Sequence, residues 1–535
     1  MKIFLIPFYI ILIYSFSIDN TNKYILDSNG RATIFHGVNV VYKLPPYIPK
    51  TDKFDPYFSL SKEDILIMKK LGFNLVRLGI IWESVEKKEG IYDMEYLNQM
   101  EEIINNLGKE GIFTMIDAHQ DVFSRTFCGE GVPYFYTEKL NYDKTCNGNF
   151  LSKIFGYLKL CTPMKDFNFK YDKNNLPLID DCKKNGFEKY HYTPEFTTAY
   201  KKFYENENNI QDKFIEFWKI IAKKFKSNKY IIGFDLWNEP FPGGMFQDLS
   251  KIIPSNPDKT QVIPFYKKVD KSIREIFPDY ILFFENTFFP DTLPIFNGLH
   301  LGSINEIPSE KKDKVVYNVH TYCCLSNLNM CSEGEPNLYS SQNICPKFHK
   351  NKIKKNIKDS NKLKVPLIIS EFGACSDSES CYNEIISVVK ECGNNLISWA
   401  YWNYKPFGDH TTSAIQIVEK EGIFNFDGSV QFNKEKSLSL SYVQYYQGIP
   451  LMFNYSSLDF RDFETTFIYD KYVLGETRIY FNKKLFYESG YDIFINDQKG
   501  NNVMFSKKEV DENYIDIEIL NISNKEILLL FFKGL

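Results

Sequence analysis

Eight short apolar runs, rich in β-branched and aromatic residues, constrain this chain more than any other feature. They are Thr33–Val40, Phe73–Gly79, Ile112–Ala118, Ile231–Asn238, Tyr280–Asn286, Val315–His320, Pro366–Glu371 and Leu396–Trp402. Between them lie segments of helical period such as Ser61–Leu71, Asp93–Leu107, Ile210–Phe225 and Phe265–Ile276. Strands that alternate with amphipathic helices predict parallel βαβ units. Eight of them predict an α/β chain closed into a (β/α)8 TIM barrel. The alternative, an open doubly wound sheet, usually needs a glycine-rich phosphate loop. No GxGxxG or GxxxxGK[ST] follows any of the runs.

At 535 residues, the chain exceeds the roughly 250–300 at which a single core stops growing. The periodicity changes near Tyr445, where short alternating runs begin: Thr466–Tyr472, Thr477–Phe481, Asp492–Ile495, Tyr514–Leu520 and Glu526–Phe532. Turn-forming pairs separate them, so residues 445–535 are expected to form a small antiparallel β-sandwich. Residues 18–444 are assigned to the barrel, with a long insertion at about 125–210 after the third run. Insertions after strand ends lie on the catalytic face of a barrel. This one begins with Phe123, Phe127, Tyr134, Phe135 and Tyr136, which suits either a lid over the substrate or a loop packed by its own aromatics.

Net charge is -4, from 64 basic and 68 acidic residues. With no basic stripe, no nucleic-acid partner is expected. Lys2 is followed by the apolar stretch Ile3 to Tyr14 and the small polar residues around Ser17. That pattern fits a signal peptide over residues 1–17, and the run is shorter than the ~20 residues of a bilayer span. The 11 cysteines agree with a secreted protein held by disulfides. They lack the CxxC spacing of a zinc site, and no metal or cofactor is expected. Their odd number leaves at least one thiol free or paired between chains. Asn454-Tyr455-Ser456 and Asn521-Ile522-Ser523 are candidate N-glycan acceptors.

Polar and aromatic side chains gather at the C-terminal ends of the runs. Arg77 closes the second, and His119 and Asp121 follow the third. Asn238 and Glu239 close the fourth, His320 and Tyr322 the sixth, Glu371 the seventh and Trp402 the eighth. One such residue means little; a set spread over six strand ends is hard to assign to stability alone. Burial would keep Glu239 protonated near neutral pH, as a general acid requires. Arg77 and Tyr322 are placed to keep Glu371 ionised. Two carboxyls about 5–5.5 Å apart cleave a glycosidic bond with retention, and Asn238 is suited to bond the sugar 2-OH. Trp402 offers a flat surface for a pyranose. The competing reading makes each Glu a buried ion pair with Arg77 or Lys43.

Trp-Asn-Glu-Pro at 237–240, Ser-Glu-Phe-Gly at 370–373, His-x-Tyr at 320–322 and Trp402 resemble glycoside hydrolase family 5, a clan A retaining family. His36-Gly37-Val38-Asn39 with Lys43, Arg77-Leu78-Gly79 with Trp82 and Glu86, and the string Asp117–Ser124 narrow the resemblance to its endoglycoceramidase-like subgroup. The resemblance implies cleavage of the β-bond between glycan or glucose and ceramide in glycosphingolipids. Glu371 would be the nucleophile and Glu239 the acid/base. Lys43, His119 and Asp121 would contact glycan hydroxyls, and His320 and Tyr322 would belong to the same substrate-binding set. The ceramide tails would need an apolar groove, supplied either by the insertion after the third run or by loops near Phe241 to Phe246 and Phe288 to Pro290.

Other aglycones in the same chemistry remain open: a steryl β-glucosidase, a monoglucosylceramidase or a β-glucanase. An inactive carbohydrate-binding protein on the same scaffold is a further alternative, although it would need neither Glu239 nor Glu371. The chain is expected to be a monomer that meets a membrane surface transiently. It would reach the exterior or a lysosome-like compartment through the secretory pathway.

Overall fold

The structure is a computed structural model that describes residues 16–146, 161–287, 304–323, 331–332, 335–411, 420–457 and 459–535. Most of the N-terminal apolar stretch and the Phe288–Pro290 loop lie outside the described residues. Eight parallel strands close into a barrel: β1 (His36–Val40), β2 (Leu75–Ile81), β3 (Phe113–His119), β4 (Ile231–Asp235), β5 (Leu282–Phe284), β6 (Val315–Thr321), β7 (Leu367–Phe372) and β8 (Ser398–Tyr401). Each pairs with its neighbour in sequence, and β8 returns to β1 through Trp399 beside His36. The expected barrel is therefore present, with strand ends displaced by a few residues from the sequence reading. The largest displacement concerns Arg77, expected at a strand end. β2 continues through Ile80 and Ile81, which pair with Ala118 and His119, so Arg77 sits inside the barrel below its mouth.

Helices α1 (Lys62–Lys70), α2 (Met94–Lys109), α3 (Ile210–Phe225), α4 (Ile263–Arg274), α5 (Cys345–Leu363) and α6 (Glu379–Asn394) belong to the outer layer. Their apolar faces explain the positions; α3, for example, buries Phe214, Phe217, Trp218, Ile221 and Phe225. Ser61 and Asp64 start α1 with a reciprocal capping box. The insertion after β3 is tied by Cys128–Cys182 and Cys146–Cys161. Phe123, Phe127 and Tyr136 are buried, and Phe123 packs on Tyr200, Phe203 and Trp237. The start of the insertion is thus packed by its own aromatics.

The C-terminal region contains two antiparallel sheets. One is four-stranded (Gly448–Tyr455, Phe463–Tyr469, Ile527–Gly534 and Tyr491–Asp497). In Phe463–Tyr469 alternate residues are buried, as a half-covered sheet demands. The other sheet has seven strands, and three of them come from the opposite end of the chain: Phe16–Asp19, Tyr24–Asp27 and Ala32–Thr33. These join Tyr442–Tyr446 through Thr33 opposite Tyr445. The expectation that residues from 18 onward belong to the barrel does not hold for these strands, because no local pattern signals a partner more than 400 residues away. Phe16 also fills the closed end of the barrel, where it meets Phe35 and Phe113 at ring-centroid distances of 5.7 and 4.7 Å.

The sheets grip the barrel at the C-terminus of α1. Tyr442, Tyr480 and Tyr514 donate hydroxyl protons to the carbonyls of Gly72, Lys70 and Lys69 at 2.8, 2.9 and 3.1 Å. Carbonyls at a helix C-terminus have no partner within the helix; Lys69 O also accepts from Gly72 N–H at 3.0 Å, and the tyrosines add bonds from the sheet.

Candidate active site

Strand pairing brings Asn39 beside Arg77 and Asp117 beside Asp235. Arg77 is fully buried, and it spends its guanidinium on carboxylates from four other strands or their ends. Nη1 lies 2.6 Å from Glu371 Oε1, and Nη2 lies 3.0 Å from Asp117, 2.8 Å from Asp235 and 3.4 Å from Glu285. Nη2 also donates to Asn238 Oδ1 at 2.9 Å. Burial opposes the charge of Arg77, but the surrounding carboxylates hold its pKa well above the usual value. Asp235 moves upward as well: burial raises it, Arg77 pulls against that, and Glu285 and Asp117 add repulsion.

Glu371, at the end of β7, has its second oxygen 2.9 Å from the Tyr322 hydroxyl, which donates to it. Burial and this neighbouring charge drive the Tyr322 pKa well up, so it stays a donor. His320 stands between the acids, with Nδ1 2.8 Å from Glu239 and 3.3 Å from Glu371, and Nε2 3.2 Å from Glu285. Burial would discharge the imidazole, but the carboxylates outweigh it and raise its pKa well above normal. The oxygens of Glu239 and Glu371 approach within 4.8 Å of one another.

Glu239 is held by its backbone. The Trp218 indole donates to Leu236 O at 3.1 Å, and the Tyr266 hydroxyl to Trp237 O at 3.3 Å. Gln120 Nε2 donates to the carbonyls of Asn238 and Glu239. Glu239 itself takes φ +40°, a left-handed conformation that costs a non-glycine residue of order 1–3 kcal/mol and is common at functional sites. Burial lifts its carboxyl to about 7; His320 pulls down and the charge of Glu371 pushes up.

A second polar cluster lies at the same mouth. Lys43 Nζ is 2.5 Å from Asp121 Oδ2, 2.7 Å from Thr411 Oγ1, 3.1 Å from Asp409 and 3.8 Å from Glu130. His119 Nδ1 meets Asp117 at 2.7 Å and Nε2 meets Asp121 at 3.4 Å. Burial disfavours the His119 charge, but Asp117 and Asp121 prevail and lift it to about 10. The ring stacks on Trp402 with centroids 5.3 Å apart, and Lys43 Nζ sits 4.6 Å from the Trp402 centroid. His119, Asp121 and Glu130 could group around a metal ion, but the cation at that place is the Lys43 ammonium.

The structure therefore gathers all ten residues singled out in the sequence into two adjoining clusters. Sequence reading missed Glu285, which follows Leu282–Phe284 in the same strand-end pattern as Glu239 and could have been found that way. It also left Asn318 unassigned, and Glu130, from the loop after β3, and Asp409 and Thr411, from the loop after β8, carry no local signal.

The family model described as Cellulase (glycosyl hydrolase family 5) matches residues 26–158 and 166–408. The chain belongs to glycosyl hydrolase family 5. This family 5 hydrolase is 27% identical over 484 residues to an endoglycoceramidase of Cyanea nozakii, covering 90% of this chain and 86% of that protein. It is 27% identical over 491 residues to an endoglycoceramidase of Hydra vulgaris, covering 90% and 83%. Among solved structures, endo-glycoceramidase II from Rhodococcus sp. shares its fold with a TM-score of 0.68 at 19% identity, over 96% of this chain and 99% of that one.

Removing the Arg77 charge strands several buried carboxylates. Arg77→Met is expected to destabilise the hydrolase by about 3–5 kcal/mol, the range for breaking a buried ion pair. Denaturant unfolding measures it, and a loss below about 0.5 kcal/mol, as for an ordinary surface change, would contradict the hub role.

Proposed function

We propose that this family 5 hydrolase cleaves the bond between a β-linked glycan, or glucose, and the ceramide of a glycosphingolipid, with retention of configuration. The carrying observation is the Glu239–Glu371 pair within 4.8 Å, near the about 5–5.5 Å of retaining enzymes and short of the about 6.5–9.5 Å that leaves room for an attacking water. Similarity to two endoglycoceramidases along most of the chain supports the ceramide aglycone.

Glu371 attacks the anomeric carbon while Glu239 gives its proton to the leaving oxygen, so the glycosidic bond breaks as the glycosyl-enzyme ester forms. Arg77 and Tyr322 stabilise Glu371 as a carboxylate before attack. Once esterified, Glu371 no longer repels the charge of Glu239, whose pKa falls. Glu239 then accepts a proton from water as that water attacks the anomeric carbon and frees Glu371. Asn238 is placed for the sugar 2-OH, and Lys43, His119, Asp121 and Trp402 for the glycan beyond.

We further propose passage through the secretory pathway, supported by four disulfides among the described residues, with glycans on Asn454 and Asn521. Burial of Phe16 argues that any leader is cleaved before that residue rather than near Ser17. Mass spectrometry of protein secreted by eukaryotic cells is expected to show an N-terminus at or before Phe16 and hexose-bearing peptides at both asparagines. A mature chain beginning after Ser17, or unmodified asparagines, would refute these points.

A ganglioside, glucosylceramide, a steryl glucoside and cellulose, offered side by side with the lipids in phosphatidylcholine vesicles, test the substrate. The expected products are intact β-configured oligosaccharide and ceramide, with turnover lost in Glu371→Gln and lowered about 10²–10⁴-fold in Glu239→Gln. Activity confined to the steryl glucoside or cellulose would overturn the ceramide assignment. Monomeric protein pelleting with the glycolipid vesicles supports a transient membrane contact, and its absence from the pellet counts against one.

Because Glu239 must carry a proton and holds it up to about pH 7, kcat/KM is expected to fall as pH rises through about 7. A dinitrophenyl β-glycoside, whose leaving group needs no proton, should lose that alkaline limb. An unchanged limb with this substrate would remove Glu239 from the acid role.

A further inference from the structure

Behind the acids, the backbone that carries Tyr322 is gripped on both sides by a set of buried groups that touch no substrate. Thr321 Oγ1 lies 2.8 Å from His349 Nδ1, and His349 Nε2 lies 2.6 Å from Glu384 Oε1. The same Glu384 oxygen accepts the backbone N–H of Cys323 at 3.4 Å. Cys323 is bonded to Cys345, the first residue of α5, across a sequence separation of 22. His349 comes one turn later on α5, and Glu384 from α6. Thr321, His349 and Glu384 are all buried, with exposures of 1%, 0% and 2%. The Thr–His–Glu chain is therefore closed to ligands and cannot act as a nucleophile set.

Its geometry fixes a short segment from two sides. Glu384 accepts a hydrogen bond from the N–H at His349 Nε2, which leaves Nδ1 to accept from the Thr321 hydroxyl. One residue holds the backbone just before Tyr322, and the disulfide with Glu384 holds it just after. The Tyr322 hydroxyl at the far end is the group that meets Glu371 Oε2. Pinning both flanks removes the backbone freedom that would let that hydroxyl swing away, as a supporting shell does for a reactive group.

We propose that Thr321, His349, Glu384 and the Cys323–Cys345 bridge form a positioning clamp that aims the Tyr322 hydroxyl at Glu371. The inference rests on the reading of Glu371 as nucleophile given above. His349 and Glu384 act through Tyr322 and are positioning residues.

The test uses the full chain and a dinitrophenyl β-glycoside, comparing Tyr322→Phe, His349→Gln, Glu384→Gln and the double variant Cys323→Ser/Cys345→Ser, each alone and combined with Tyr322→Phe. A donor to a carboxylate favours its charged form, so Tyr322→Phe, which removes one, should move the acid limb of kcat/KM upward. Each clamp variant should move the limb the same way and lower kcat about 10- to 100-fold, as a small misplacement does, with KM little changed. In the Tyr322→Phe background the clamp variants should add nothing, because their effect runs through that hydroxyl. Additive losses, or lower thermal stability with an unmoved acid limb, would overturn the clamp. If the cysteine pair does not fold, His349→Gln decides by the same criteria. An acid limb unmoved by Tyr322→Phe itself would refute the Tyr322–Glu371 link and the clamp with it. Turnover by Glu371→Gln would separately refute the nucleophile.

Discussion

The barrel mouth depends on how one fully buried positive charge is shared. Arg77 faces Asp117, Asp235, Glu285 and Glu371, and all five side chains are buried. Removing charge from water costs several kcal/mol per ion, which mutual attraction offsets only with good geometry and further hydrogen bonds. Asn39, Asn238 and Asn318 supply those bonds, to Arg77 in the first two cases and to Asp235 in the third. Asp235 and Glu239 are the groups driven upward, while Glu371 receives donors from Arg77 and Tyr322. Unequal neighbours thus give two chemically alike carboxyls different settings.

Support for this division reaches outward in layers. Trp218, Tyr266 and Gln120 pin the backbone around Glu239, and the groups behind Tyr322 do the same across the mouth. Lys405, buried after β8, pairs with Asp64 of α1 and donates to the Ser59 and Asp55 carbonyls at 3.0 and 2.7 Å. It ties the loop that follows Trp402 to the start of a helix. Rigid elements hold reacting groups more closely than free loops do.

Much of this was legible in the sequence because it is local. Continuous apolar runs rich in β-branched and aromatic residues give barrel strands, and a carboxylate that ends such a run is conspicuous, as Glu239 and Glu371 are. Arg77 was legible as a functional residue but not in its depth, since nothing in Arg77-Leu78-Gly79 says that the strand continues through Ile80 and Ile81. Glu285 was passed over although its setting matches that of Glu239. Glu130, Asp409 and Thr411 meet only through the closure of the barrel, and single-sequence patterns carry no such distances. The same reason hides the N-terminal strands. The cysteine count is visible in the chain, but which cysteines pair depends on the folded structure.

That N-terminal pairing has a consequence for how the protein is made. Ala32 and Thr33 find their partners at Tyr446 and Tyr445, and β1 closes on β8 through Trp399. A ribosome adding about 5–20 residues per second needs roughly 20–80 s to cover that span. For all of that time the first strands have no sheet to join, and Phe16 has no finished barrel end to fill. Closure of both units therefore waits until the segments around Trp399 and Tyr445 have been made, and until then the first strands keep an unpaired edge.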